Sequence, residues 1–309
     1  MDVVGQLLGY LMLMIPPYAL ASLGIMLGGR VGLFNVSGEG LMLLTASIAF
    51  LTTYYTGSAA LGVLSSLAVG ALFGAVFAVF SERLKINQFI VGLTMFILAL
   101  GLGSFLYKIL IGVVLTPPRI GVLPGLPIPL LADIPVVGQA IFAQNILVYI
   151  TIVIALALHY FLFSTGFGLS VRSIGESPRV ADVLGVNVML YRYLFTIMGG
   201  MLIGLAGAYL PLCFTGSFTD TIVGGRGWIA IAITIFGRWS PLQILLGSMV
   251  FGGIDVINYW LQVQRVPIPY QFLQMLPFAV TLAILIRISR RAEMPLAIGR
   301  AYDREAIEE

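Results

Sequence analysis

An all-α integral membrane protein is the fold class that three observations in the sequence predict. Of 309 residues, 60% are hydrophobic and 9% charged, and the mean hydropathy is +1.06, far from the quarter-charged composition of soluble domains. Uncharged stretches cover 3–29, 40–81, 89–107, 134–171 and 193–219, and each has room for one or two helices of about 20 residues. The alternating polarity of lipid-facing barrel strands is absent, so helices, which satisfy their own backbone, are the expected spanning element.

In chain order, spans are expected at 7–28, 41–56, 59–80, 89–110, 145–163, 193–213, 222–237, 242–261 and 270–287, about nine in all, with about eight to ten admissible. Residues 1–290 form the transmembrane domain, with a loop at 164–192, and 291–309 form a tail. The first span is too long for the apolar core of a cleavable signal and lacks a basic stretch before it. One segment departs from the pattern: "GGRVGLFNVSGEG", 28–40, places Arg30, Asn35 and Glu39 among glycines between two apolar runs. Broken or re-entrant backbone of this kind is tolerated in a membrane only where it lines a cavity or lies within protein. A second Gly-Gly-Arg at 224–226, again before an apolar run, points to a pseudo-repeat around a central site.

Basic residues cluster in four places: Arg83 and Lys85; Arg172, Arg179 and Arg192; Arg238; and the tail with Arg287, Arg290 and Arg291. Two spans separate each cluster from the next, so all four fit one cytoplasmic side, and the proline-rich 116–139 then caps the outside. If 28–40 is re-entrant, the side of the N-terminus is undecided. Arginines between spans also account for the pI near 9.0 without a nucleic-acid partner. The single Cys213 permits no internal disulfide and suits no metal site alone.

The central loop contains "SIGESPRVADVLGVN". Ser177 reads as an N-cap, Pro178 as a first helical residue and Gly185 as a stop, so 178–184 is expected to be a helix of about two turns. Val180, Val183 and Leu184 share one face, with Arg179 and Asp182 elsewhere. Such a knob either lies flat at lipid headgroups or plugs a groove in a cytosolic protein. The chain's lysines are Lys85 and Lys108, and neither follows the glycine spacing of a phosphate-cradling loop. Ionisable residues inside spans are few: Glu39 and Asp255, with Lys108 and His159 near span ends. That poverty suits a translocating subunit driven by a separate motor better than a proton-coupled carrier.

"GLFNVSGEGLMLLTASIAF", "SIGESPRVADVLGVNVMLYRYLFTIMGGMLIGLAGAYL", "GRGWIAIAITIFGRWSPLQILLGSMVFGGIDVI" and "MPLAIGRAYDRE" together resemble the permease subunits of ABC importers in the branched-chain amino acid, ribose and nucleoside group. The resemblance runs from about residue 24 to 305. Gly175, Glu176, Pro178, Arg179, Ala181 and Gly185 match the loop whose short coupling helix docks into a groove of the ATPase. Ser177, Val180, Val183 and Leu184 complete that element here. "NVSGEG" and "PLAIGRAYDRE" resemble the nucleoside branch, while Gln88 and Phe96 depart from it, standing where an acid and an asparagine are common. The resemblance implies ABC ATPase subunits, a second permease chain (a paralogue or a second copy), an extracytoplasmic solute-binding protein, a small-molecule solute, a prokaryotic cytoplasmic membrane and no cofactor or resident metal. The chain itself is not expected to be an enzyme.

Candidate path residues are Asn35, Glu39, Phe96 and Asp255. Asn35 and Glu39 either contact solute or tie down the broken backbone. Asp255, deep in a span, either pairs with an arginine or lines the path. Phe96, Trp228 and Trp239 stack on a base or pack as span aromatics. Lys108 is expected to snorkel outward, His159 to be a hydrogen-bonded interface residue, and the glycines of "GGMLIGLAGAYL" to be close helix contacts. The reading is a multispanning permease for a nucleoside-like solute. Its alternatives are a ribose or other simple-sugar or branched-chain amino acid permease, a proton-coupled secondary transporter, and a channel or scaffold.

Overall fold

Among the described residues, twelve α-helices follow in the order α1 (Val3–Arg30), α2 (Gly38–Thr56), α3 (Ala59–Ala78), α4 (Gln88–Leu110), α5 (Val137–Phe142), α6 (Ile146–Ser164), α7 (Gly166–Glu176), α8 (Pro178–Val183), α9 (Val188–Tyr209), α10 (Arg226–Phe236), α11 (Pro241–Val263) and α12 (Tyr270–Ile288). The computed structural model describes residues 3–114, 116–129, 134, 137–264, 269–288 and 294–303. The ends of α3 and α9 widen into π-helical turns, Val79–Arg83 and Leu210–Thr215. Among the described residues there is no strand, only an isolated bridge between Gly125 and Asn145.

Each expected span falls on a helix, but six among the described residues are long and apolar enough to cross a membrane: Val4–Arg30, Ala59–Arg83, Gln88–Leu110, Ile146–Ser164, Val188–Thr215 and Pro241–Val263. α2 falls short because Glu39 and the run Thr52 to Thr56 dilute it. α10 has 11 residues, and at 1.5 Å each reaches about half of a hydrocarbon core of about 30 Å. α12 counts as a shorter apolar helix over Gln271–Ile284. The central loop carries α7 as well as the expected short helix. Of the expected tail, 294–303 is described; Arg290 and Arg291 lie outside the described residues.

α1 and α9 are the buried centre, with 89% and 72% of their most apolar windows inside the protein, whereas α3, α4 and α6 bury about a third or less and turn Leu64, Leu72, Ile97, Ile109 and Val153 outward. In lipid, no hydrophobic drive brings helices together, so close backbone approach must do so. Glycine supplies it, as expected for "GGMLIGLAGAYL". A methyl at Gly24 of α1 would lie 2.5 Å from the Gly199 carbonyl of α9, and one at Gly74 of α3 2.6 Å from the Thr196 carbonyl of α9.

The N-terminal end of α1 lies with α5, where the Gln144 amide donates to the Gly9 carbonyl at 3.4 Å, and with the 120–128 segment, which pairs with α9's end through Leu123 N–H to Leu212 O at 2.8 Å. Lys108 pairs with Asp220 at 3.0 Å at this same end. Burial raises the Asp220 carboxyl, but hydrogen bonds from Lys108 and Ser104 outweigh it and hold the group below the usual carboxylate range. The opposite end gathers Arg30, Lys85, Arg172, Arg192 and Arg238: Arg30 donates to the carbonyls of Trp239 and Arg238, and Arg30 and Arg172 both lie over the Phe163 ring, at 5.8 and 5.1 Å. His159 packs on the same Phe163 ring at 4.9 Å, and its buried Nδ1 has no hydrogen-bond partner among the described residues.

Gly74→Leu is expected to force α3 off α9 and lower stability in detergent by about 2–3 kcal/mol, as overpacking does. Gly101, whose added methyl would meet nothing within 4 Å, should accept Ala without loss, since Ala is the better helix former. Thermal unfolding of the two purified variants checks both.

Candidate functional site

The broken segment at 31–37 leaves the helix because Gly32 takes φ +89°, a conformation a side chain resists. The chain then runs extended and buried beside the start of α4. Gln88 holds it there, accepting from the Phe34 N–H at 2.9 Å and donating to the Gly32 carbonyl at 3.3 Å. Asn35 is buried, and its Oδ1 accepts from the Ser37 N–H at 2.9 Å. That bond closes a local turn ahead of α2.

α2 and α10 begin side by side: a methyl on Gly38 would lie 3.8 Å from the Gly227 carbonyl. Gly224 and Gly225 adopt φ +59° and +84°, so the chain turns sharply into α10. The first amides of α10 lack helical partners and carry its positive pole. Glu39 occupies that position, accepting from Gly225 N–H at 2.8 Å and Gly227 N–H at 2.7 Å. Between these two amides, Arg226 points the other way. Its guanidinium meets Asp255 of α11 at 3.1 Å and the carbonyls of Ile222 and Val223 at 3.2 and 3.1 Å. Tyr18, near the middle of α1, donates its hydroxyl to the same Asp255 oxygen at 2.9 Å, and Arg226 lies 5.8 Å over its ring. Both carboxylates are therefore partnered, each by the 225–227 turn.

Next to this turn, the Phe96 ring of α4 meets the Trp228 ring edge to face at 5.2 Å. Trp228 is 39% exposed and Phe96 half-buried. Trp239, by contrast, is fully buried against Gly29 and Phe34, so it packs and is not available for stacking.

At the arginine-rich end, α8 ends one residue short of the expected 178–184, with Leu184 as its C-cap and Gly185 at φ +86° as the stop. Ser177 stands at the N-cap in an extended conformation, but its side chain makes no capping bond, contrary to the expected role. Ala181 is buried while Val180, Val183 and Leu184 are 57, 87 and 75% exposed; Glu176 is exposed and Pro178 and Arg179 half-buried. Gly175 is packed against Arg30 and Pro295, where a methyl would clash with the Arg30 carbonyl. The apolar face of α8 is thus turned away from the protein.

Of the sequence-derived path residues, Glu39, Phe96 and Asp255 converge on 225–228 from three helices, and Asn35 stands apart in its turn. The two Gly-Gly-Arg triplets are not equivalent: the first closes α1, while the second opens α10. An arginine partner was one of the two alternatives for Asp255, and the structure supplies Arg226; the amides of Gly225 and Gly227 that face Glu39 had no individual signal beyond the Gly-Gly-Arg that marks their place. Also unforeseen is a buried ion pair, Glu82 with Arg192, both fully enclosed. Its signal was a lone acid and a lone base at the ends of long apolar runs, each of which needs a partner.

Asp255→Ala is expected to lower stability by about 2–3 kcal/mol by stranding Arg226, below the cost at a fully buried pair. Asp255→Leu with Arg226→Met should recover most of it, measured by thermal unfolding in detergent.

The chain matches the family described as branched-chain amino acid transport system / permease component over residues 7–285. It is 34% identical to the nucleoside ABC transporter permease protein NupC of Lactococcus lactis, covering 93% of each chain. It is 33% identical to the guanosine ABC transporter permease protein NupQ of Bacillus subtilis, over 93% of this chain and 92% of that one. It is also 32% identical to the putative glucose ABC transporter permease protein TsgC13 of Haloferax volcanii, over 93% and 94%. No solved structure is a significant match. With its helices long enough to cross a membrane several times, the chain belongs to the family of ABC transporter permeases described as the branched-chain amino acid transport system permease component.

Proposed function

We propose that the chain forms, with a second permease chain, the pathway of an ATP-driven importer for uncharged nucleosides in a prokaryotic cytoplasmic membrane, with the α8 end in the cytoplasm. The observation that carries the cargo class is the meeting of α2, α4 and α10. Half-helix starts of this kind serve anionic substrates in other transporters because the amides and the dipole attract negative charge. Here Glu39 already fills that pole and Asp255 neutralises Arg226. A phosphate or a substrate carboxylate finds no free positive group at this turn, which disfavours nucleotides and amino acids. The exposed Trp228 face with Phe96 beside it suits a flat neutral base, since stacking on an aromatic contributes about 1–3 kcal/mol. The nucleoside and guanosine permeases among the relatives agree with this cargo.

All nine apolar segments lie in the bilayer in this reading, six as full spans and α2, α10 and α12 as partial or cavity-lining elements. ATP hydrolysis belongs to separate ATPase subunits, which take the exposed face of α8 into a groove; an extracytoplasmic binding protein delivers solute at the other end. A simple sugar is the second reading, favoured by the glucose-permease relative, because a neutral turn accepts a sugar as readily as a nucleoside.

The test is uptake by the reconstituted complex with its own binding protein, offered labelled guanosine, uridine, guanosine monophosphate, glucose and leucine. Uptake of the nucleosides alone is expected, and Trp228→Ala should cut it about tenfold, as loss of roughly 1.4 kcal/mol would. Glucose uptake without nucleoside uptake would establish the sugar reading instead. Val183→Asp with Leu184→Asp should abolish ATPase co-purification while leaving membrane insertion intact, because an unpaired carboxylate in a desolvated groove costs more than a neutral polar group does there.

A further inference from the structure

The residues after α12 that are described, 294–303, hold no regular helix, yet they are pinned across the arginine-rich end. The Ala297 N–H donates to the Gly175 carbonyl at 2.9 Å, just ahead of α8, and the Gly299 N–H to the Gly32 carbonyl at 3.2 Å, in the broken segment. Arg192 of α9 donates to the Arg300 carbonyl at 3.0 Å and to Glu82, at the end of α3. Glu82 in turn accepts from the Tyr302 N–H at 3.2 Å. The Tyr302 hydroxyl reaches out to Asp182 of α8 at 2.9 Å, and Asp303 pairs with Lys85. One short strand of chain therefore touches the α8 loop, the broken segment, α3 and α9.

We propose that 295–303 is a working strap of the coupling apparatus, in which Tyr302 is a positioning residue that ties α8 to the buried Glu82–Arg192 pair, so that displacement of α8 is passed to α3 and α9. The inference rests on α8 being the element that docks the ATPase. Six residues cannot hold a helix by themselves, and α8 buries only Ala181; its remaining residues face outward or graze their neighbours. Tyr302 supplies a lateral tie whose far side is rigid. Glu82 and Arg192 are both fully enclosed, and the helices that carry them touch at backbone level through Gly74 and Thr196. Because breaking a buried pair is costly, a pull on Tyr302 moves the two helices together in place of parting them.

The experiment uses the complex with its ATPase and binding protein, and reads guanosine uptake per ATP hydrolysed in Tyr302→Phe, Asp182→Ala and the double variant. Tyr302→Phe removes the hydroxyl alone, leaving the ring and the N–H to Glu82. Each single change should lower the ratio about threefold to tenfold, the loss of one hydrogen bond that is only partly buried, and the double should be no worse than either single. An unchanged ratio, losses that multiply in the double variant, or a fall in complex yield with the ratio intact would overturn the inference, the last by showing a structural role only. Retained ATPase association in Val183→Asp with Leu184→Asp would instead remove the docking reading, and this inference with it.

Discussion

A polar group surrounded by hydrocarbon has no water to turn to, and the architecture depends on how each such group finds a partner. The 31–37 break exposes amides that Gln88 and Asn35 must satisfy. The short α10 presents a positive pole that Glu39 must neutralise. Arg226 is excluded from that pole and must find Asp255, with Tyr18 steadying the carboxylate. Such arrangements contribute modestly to stability because desolvation offsets the attraction. What they do fix is register: α2, α10, α11 and α1 meet in one alignment only.

The same constraint explains what was legible in the sequence. Long apolar helices announce themselves by length, and the punctuation of α8 by Pro178 and Gly185 is local, so both were readable without a fold. Glu39, Phe96 and Asp255 were recognisable as unusual because each interrupts an apolar run. Which amides Glu39 would meet was not readable, since Gly225 and Gly227 lie 186 and 188 positions from it and only packing brings them together. Span counting failed in part for a physical reason: apolar runs such as 226–236 resemble spans in composition, but they lie within the protein, where half a bilayer's length suffices. The strap was unreadable because 294–303 has no periodicity, and its order comes entirely from what it touches.

Two packing regimes divide the molecule. Between α1, α3 and α9, contact is backbone to backbone through glycine, and small residues leave little room for repacking. Around 225–228 the backbones are also close, since a methyl at Gly227 would lie 2.4 Å from the Glu39 backbone, but the outer edge is made by the side chains of Trp228 and Phe278, which are partly uncovered. The helices that carry the buried ion pair, α3 and α9, belong to the glycine-packed group.

α10 is held at both ends by one short stretch of chain. Glu39 binds its first amides, and Arg30, nine positions earlier, donates to the Trp239 carbonyl at 2.8 Å just beyond its end. Trp239 and Arg238 both sit in the left-handed region, at φ +57° and +48°, held there in part by that arginine. The segments 30–39 and 225–239 therefore constitute a single inheritable module split between two distant parts of the gene. Recombination between related permeases that exchanges one half without the other would separate a lock from its key, so crossovers that preserve function should carry both or neither.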